Sequence, residues 1–459
     1  MGARTSPARI NIAELIDNTD INRSQIAVFA LCTACLMMDG FDVQALSYVA
    51  PALVQDFKIT AAALGPVFAA TNFGFLIGSL LFSILADKIG RRPVLIVATS
   101  FFAVMTVLTA RAATVQELLT FRFVAGIGLG SIIPQVTALV GEYSPARKRI
   151  MAIMATITLG FNGGATIAGL ITARLVGAFG WRSVFYIGGI LPLIIAALMY
   201  FWLPESMQFL VLRNKGTDKV TKWLRRIKPD AAPAGVVEYI VREENRSGVP
   251  VGHLFREGRA LLTILIWVVN FMNLLNLYAL TSWLPIVIRD AGYSVATAVL
   301  VGTMLQVGAI GGTFLLATLI SKKGFVPVLT TSLAIACVSI AVIGQPGLTL
   351  ALITIAVTIA GAGIVGSQPG INALSATSYP TYLRATGVGW GLGIGRIGAI
   401  VGPVIGGILL AHHWSNQDMF LAAALPALIS TFAMILMRWA RKETVPAASS
   451  SRKAKVLAH

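Results

Sequence analysis

Asp39 and Asp42 stand three residues apart in Met38-Asp39-Gly40-Phe41-Asp42, inside a stretch from Ile26 to Val54 that is otherwise apolar enough to span a bilayer. A charge at the centre of a membrane helix costs about 3 kcal/mol or more. Two carboxyl groups on one helical face must therefore be protonated, paired, or turned toward a watery cavity. Burial and a like-charged neighbour both disfavour ionisation of a carboxyl group, so such a pair can take up and release a proton near neutral pH. Tightly coupled, it titrates as a unit. The chemistry on offer is reversible proton binding inside a membrane. The structural alternatives are a static ion pair or a helix cap at a kink by Gly40.

Two arginines share this depth. Arg122 lies near the start of the fourth apolar run, at a depth compatible with contact to Asp39 and Asp42, and would hold one carboxylate ionised until proton or substrate displaces it. Arg396 lies about eleven residues into the eleventh run, hence near mid-membrane at about 1.5 Å per residue. Its surroundings are Gly393-Ile-Gly395-Arg396-Ile-Gly398, and small neighbours permit close approach. A cavity arginine suits a ligand carboxylate, which it grips with two parallel hydrogen bonds. Snorkelling to an interface, or bonding to backbone carbonyls, is the structural alternative.

The elements that must position these groups are membrane helices. Of 459 residues, 56% are hydrophobic and 12% charged, against about 25% charged in a soluble domain. Twelve apolar runs of bilayer length recur, at 24–54, 62–86, 93–112, 116–142, 149–176, 183–203, 260–285, 295–320, 326–344, 348–378, 385–411 and 418–440. Runs this long and uniformly apolar are helices rather than barrel strands. The predicted class is all-α, with twelve transmembrane helices. Its divisions are a cytoplasmic N-terminal segment (1–23), a six-helix bundle (24–203), a cytoplasmic linker (204–259), a second six-helix bundle (260–440) and a cytoplasmic tail (441–459). Within the linker, Thr217 to Ile227 reads as a short amphipathic surface helix.

The net charge of +17 follows membrane topology rather than a nucleic-acid surface. With both termini cytoplasmic, 29 of the 36 Lys and Arg residues fall on that side, and only Lys58, Arg111, Arg174, Arg182 and Arg289 on the other. That bias sets orientation. No small-residue cleavage site follows a short apolar core, so no cleaved signal peptide is expected. Cys32, Cys35 and Cys337 lie in apolar runs and read as buried thiols. His412-His413 beside Trp414 reads as a solvated turn. No metal-ligand spacing, phosphate loop or nucleophile–base arrangement is present, so neither an enzyme nor a cofactor or metal is expected.

The halves are related. At an offset of 235, Gly126-Ile-Gly128 with Pro134 matches Gly361-Ala-Gly363 with Pro369, Arg149 matches Arg384, and Gly160 and Gly163 match Gly395 and Gly398. At 234, Leu85 to Val94 matches Leu319 to Val328. Parallel six-helix repeats typify a large class of rocking transporters whose site lies at the midplane. The same offset of 234 puts Asn273 and Asn276 where the first half has Asp39 and Asp42. Amides hydrogen-bond a ligand but carry no proton at ordinary pH. The halves therefore divide labour, proton binding in the first and substrate contact in the second; drift of a duplicated helix is the alternative.

Four segments resemble the major facilitator superfamily, and within it the aromatic acid:proton symporters. They are Asp39-Gly-Phe-Asp42, Asp87-Lys-Ile-Gly-Arg91-Arg92, Arg122-Phe-Val-Ala-Gly126-Ile-Gly128-Leu-Gly130, and Leu203-Pro-Glu-Ser-Met-Gln-Phe209-Leu210. One departure is Ser83, where the superfamily usually has glycine four residues before the aspartate. The resemblance implies a bacterial inner-membrane symporter, working by alternating access, that imports a benzoate- or hydroxybenzoate-like acid with protons and functions as a monomer. It also implies that Arg122 is functionally sensitive. Another organic acid (a dicarboxylate or a shikimate-like ring) is the near alternative, and a proton-driven exporter of apolar compounds the distant one. For an aromatic acid, Phe41, Tyr48, Phe73, Phe161, Tyr278, Trp283 and Trp390 are candidate walls. Gln135, Gln368, Asn273, Asn276 and Asn372 are candidate hydrogen-bonding groups. Asp87, Arg91, Arg92, Glu142, Arg147, Arg149 and Arg384 sit at cytoplasmic helix ends, where salt bridges would latch an inner gate; Arg149 and Arg384 are favoured because they share the repeat register.

Overall fold

At hydrocarbon depth no water satisfies backbone N–H and C=O groups, so each long apolar run closes its own hydrogen bonds as a helix. The computed structural model describes residues 8–17, 19–213, 217–227, 237–240 and 251–444; the remainder of the expected linker, N-terminal segment and C-terminal tail lies outside them. Among the described residues, twelve helices are long and apolar enough to cross a membrane. They are span 1 (Arg23–Phe57), span 2 (Ala61–Ile89), span 3 (Arg91–Thr109), span 4 (Val115–Tyr143), span 5 (Ala146–Phe179) and span 6 (Arg182–Trp202), then span 7 (Ala260–Asp290), span 8 (Val295–Lys323), span 9 (Phe325–Ile343), span 10 (Leu350–Ser378), span 11 (Tyr382–Ala411) and span 12 (Asn416–Arg438).

The repeat register reappears in helix irregularities. Span 4 breaks between Leu129 and Ile132, and span 10 between Ile364 and Gln368. Spans 3 and 9 both start on a positive-φ glycine, Gly90 at 108° and Gly324 at 83°.

Two compact units result. One comprises Met1–Asn245 with Ile288–Thr303, the other Arg246–Val287 with Met304–His459. The second bundle anticipated at 260–440 thus cedes residues 288–303 to the first unit. One contact of that segment is with span 5: a Cβ placed on Gly169 would lie 1.8 Å from Thr303 Oγ1, so the Thr303 side chain occupies that space.

In the first unit, span 1 lies directly on span 5. A Cβ on Gly40 would meet the Phe161 carbonyl oxygen at 2.0 Å, and one on Gly164 the Met37 carbonyl oxygen at 1.9 Å. Backbones this close exclude any side chain. Where it meets span 1, span 5 widens into a π-turn over Thr158–Asn162, an irregularity frequent at functional sites. Outside the spans, strand Ala8–Asn11 pairs in parallel with strand Val237–Ile240. The helix Thr217–Ile227 buries Val220 and Leu224 in one cluster with Ile12, Ile16, Val28 and Tyr143. Its apolar stripe therefore faces the bundle. In the second unit, span 11 lies on span 7: Cβ atoms on Gly398 and Gly402 would meet the Phe271 and Leu275 carbonyl oxygens, each at 2.3 Å.

Candidate functional site

An α-helix turns about 100° per residue. With Gly40 facing span 5, Asp42 is carried to the opposite side of span 1. There it meets Arg122 of span 4, and both side chains are fully buried. Arg122 Nη1 donates to Asp42 Oδ2 at 2.9 Å, and Nη2 to Oδ1 at 3.4 Å. Two span 3 hydroxyls three residues apart complete the cage. Thr106 Oγ1 donates to Asp42 Oδ1 (2.6 Å) and accepts from Arg122 Nη2 (2.9 Å). Thr109 Oγ1 accepts from Arg122 Nε at 3.3 Å. The guanidinium also lies 5.2 Å from the centroid of the Phe185 ring in span 6, a distance suited to cation–π attraction.

Asp39 lies on the neighbouring turn and is likewise fully buried. Gln135 is 4% exposed and Phe41 1%. Phe41 packs over Gly188 of span 6, where a Cβ would lie 3.0 Å from its ring. Tyr48 is buried; Phe73 is 48% exposed and stacks on Phe123 at 6.0 Å.

The end of the first unit rich in Lys and Arg is organised by Glu205. Its Oε1 accepts the backbone N–H groups of Arg91 (3.0 Å), Arg92 (3.2 Å) and Ser206 (2.8 Å). Span 3 begins at Gly90, which has no side chain to cap the helix, so the Glu205 carboxylate caps it from a distance of 114 residues. A carboxylate there also complements the helix dipole. Gly90 is required twice: φ is +108°, and a Cβ would sit 2.2 Å from the Glu205 carboxylate. Tyr143 Oη donates to the Glu205 carbonyl at 2.8 Å. Arg91 Nη2 lies 3.6 Å from Glu142 and 3.9 Å from Asp87, whose side chain is 77% exposed. Ser206 Oγ donates to Glu142, and Arg92 to the Tyr200 carbonyl. Arg149 binds Asp17 at 2.9 Å, and Arg147 pairs with Asp20. These bonds all lie inside the first unit. Arg384 is exposed in the second. Replacing Glu205 by Ala uncaps span 3, at a cost of about 1–2 kcal/mol. The expected readout is a lower thermal midpoint of the detergent-purified protein, with Glu205→Gln, which still accepts hydrogen bonds, falling between.

In the second unit, amides of spans 7 and 10 join. Asn273 Nδ2 donates to Gln368 Oε1 (2.7 Å) and to the Ile364 carbonyl (3.1 Å), in the break of span 10. Gln368 Nε2 donates to Asn372 Oδ1 (3.0 Å) and Asn270 Oδ1 (3.4 Å). Arg396 is half-buried, and its Nη1 donates to Tyr278 Oη at 3.1 Å. Trp390 is 46% exposed and stacks on Trp267 at 5.9 Å. Asn276 and Trp283 are not part of this network. They line a separate, largely apolar cavity of about 340 Å³ bounded by spans 7, 11 and 12. The Trp283 indole N–H is donated to the Pro403 carbonyl at 3.0 Å.

Sequence reasoning passed over Thr106, Thr109 and Phe185, which enclose Arg122. Their signal was two threonines one turn apart in an apolar run, a pattern shared by many threonines that merely bond the preceding turn. Glu205 stood in a quoted motif without a role.

This arrangement has relatives. The Major Facilitator Superfamily family model matches residues 32–395. The chain is 36% identical over 428 residues to the 4-hydroxybenzoate transporter PcaK of Pseudomonas putida, covering 93% of this chain and 95% of that one. It is 34% identical over 443 residues to the gallate transporter of the same organism, covering 96% and 98%. Its fold is similar to that of the xylose transporter XylE from E. coli, whose structure is described as a partially occluded inward open conformation, with TM-score 0.70 at 16% identity over 90% of this chain and 97% of that one. It is a multi-pass membrane protein and a transporter, not an enzyme. The chain belongs to the Major Facilitator Superfamily and, within it, to the family of aromatic acid transporters.

Proposed function

We propose that this protein is a proton-coupled symporter importing an aromatic carboxylate of the hydroxybenzoate class by alternating access. It acts as a monomer in a bacterial inner membrane with both termini cytoplasmic. The observation that carries the reading is that Asp39, Asp42 and Arg122 are all fully buried within the first unit. With both carboxyl groups ionised this group carries net charge −1; one proton makes it neutral. A change of one unit in a low-dielectric interior is among the largest energy differences available for biasing one conformation over another. Support for an aromatic acid comes from the relatives, whose names are those of 4-hydroxybenzoate and gallate transporters.

Within this reading Asp39, Asp42 and Arg122 couple protons. Arg396 holds the substrate carboxylate, its guanidinium oriented by Tyr278. Asn273, Gln368 and Asn372 offer hydrogen bonds to ring hydroxyls, and Trp390 supplies an aromatic face. Phe41, packed over Gly188, supports span 1 beside the acids, and Gln135 is a buried polar group of the second part of span 4. Asp87, Arg91, Arg92, Glu142 and Arg149 hold the cytoplasmic end of the first bundle together as it moves, since the bonds they make lie inside it. Arg384, exposed in the second unit, is the remaining gate candidate.

The testing experiment is uptake by proteoliposomes of a panel of acids under an imposed pH gradient (inside alkaline). Accumulation of hydroxybenzoates, dissipated by a protonophore, is expected; uptake of aliphatic dicarboxylates in preference to them would overturn the substrate class. In the same assay Arg396→Gln is expected to raise KM by roughly tenfold or more, the worth of a charge-assisted hydrogen bond, with little change in thermal midpoint. An unchanged KM removes Arg396 from the site.

A further inference from the structure

The cavity between spans 7, 11 and 12 holds a buried group with nothing to bind. Asn276 is fully buried, and neither Oδ1 nor Nδ2 has a hydrogen-bond partner among the described residues. Leaving such a group unsatisfied costs about 1–3 kcal/mol. The repeat relation explains how it arose. Asn276 occupies the register of Asp42, and Phe420 also lines the cavity. The positions matching Arg122 and Thr106 are Val357 and Ile340, both buried and apolar. The second half therefore kept a polar group on span 7 and lost the guanidinium and hydroxyl that would answer it.

Three ordinary occupants fit poorly. A lipid acyl chain leaves the amide unanswered. A lone water needs two to four polar partners, and the one other polar side chain in the lining, Trp283, gives its N–H to Pro403. An ionised acid is excluded, since the lining has no cation and the rim residues Ile405, Leu425 and Ile429 are apolar and 40–54% exposed, on the outer faces of spans 11 and 12. A solute entering there comes from hydrocarbon, where charge is costly.

What remains is an uncharged, flat, apolar molecule carrying an acceptor and a donor on one carbon. A primary carboxamide presents N–H and C=O side by side, and its complement is an undissociated carboxylic acid or another amide. Phe420 and Trp283 supply ring contacts. The volume of about 340 Å³ is at the lower end of ligand pockets. We propose that this cavity is a second, membrane-facing ligand site, distinct from the Arg396 region, that binds the undissociated form of an aromatic acid through Asn276. The site does not depend on the symport reading, because its test reads binding and not transport.

The probe is radiolabelled benzamide, uncharged at every working pH, with the full-length protein in lipid nanodiscs. Saturable binding is expected, independent of pH because none of the lining side chains ionises. Asn276→Leu should weaken it tenfold or more. Ala423→Trp fills the cavity from span 12 without altering the amide, and should abolish it; this variant stands as the test if Asn276→Leu does not fold. Benzoate should displace benzamide better as pH falls toward the acid's own pKa, because only the undissociated form fits, and toluene should displace it weakly. Absence of saturable binding overturns the proposal, as does binding that survives Ala423→Trp. Displacement by toluene as strong as by benzoic acid would reduce the cavity to an apolar crevice, and stronger displacement by benzoate at alkaline pH would place the probe at a cationic site instead.

Discussion

On the proposed symport reading, Asp39→Asn is expected to abolish uphill accumulation of an aromatic acid under a pH gradient, while exchange of labelled for unlabelled substrate continues. The amide is the same size and still hydrogen-bonds, but does not ionise at ordinary pH. A carrier so altered is fixed in the neutral state of this position, which the wild type reaches only on protonation. It can still reorient with substrate bound but draws no energy from the proton gradient. Asp39 is the cleaner of the two acids to test, because substituting Asp42 also strands Arg122. The measurement is the ratio of internal to external substrate in proteoliposomes, set against counterflow in the same vesicles. Normal accumulation by Asp39→Asn would refute the coupling role; loss of both accumulation and counterflow would point instead to a fold or binding defect.

The second large effect is on stability. Asp42→Ala leaves Arg122 fully buried with Thr106, Thr109 and Phe185 around it but without its counter-charge. Removing one member of a buried ion pair costs about 3–5 kcal/mol, a large part of the 5–15 kcal/mol that holds a typical domain together. Little monodisperse protein is expected on detergent extraction. Arg122→Leu should be milder, since a carboxyl group can escape by taking a proton and a guanidinium cannot lose one. The double variant Asp42→Leu with Arg122→Leu should recover most of the folded yield and remain inactive in coupled uptake. Size-exclusion profiles and thermal midpoints of the three variants decide this. Equal midpoints for Asp42→Ala and wild type would show that the pair is not closed off from solvent, and would remove the argument for its energetic weight.

Neither experiment would have been framed this way from the sequence. There the two acids looked alike, an i, i+3 pair near one arginine. The tertiary structure distinguishes them: the rotation of span 1, fixed by contact of Gly40 with Phe161, turns Asp42 into the crossing of spans 3, 4 and 6. The amides Asn273 and Asn276 likewise looked like one pair, by analogy with the acids. They separate because Gln368 and the Ile364 carbonyl, at the break in span 10, lie beside Asn273, while Asn276 lines the cavity between spans 7, 11 and 12.

The sequence by itself determined what depends on composition and local chemistry. Twelve runs too apolar for water had to be helices in lipid, and Thr217 to Ile227 carried the helical stripe that the structure buries through Val220 and Leu224. The family also showed in short motifs, because the close helix contacts they serve require particular small and charged residues. Partner choice was beyond it. Which hydroxyls enclose Arg122, why Glu205 caps a helix 114 residues away, and where Asn276 is left without a partner among the described residues are all settled by contacts between distant segments. Burial and hydrogen bonding depend on what lies across a helix crossing, and a linear order of residues does not fix the rotation of one helix against the next.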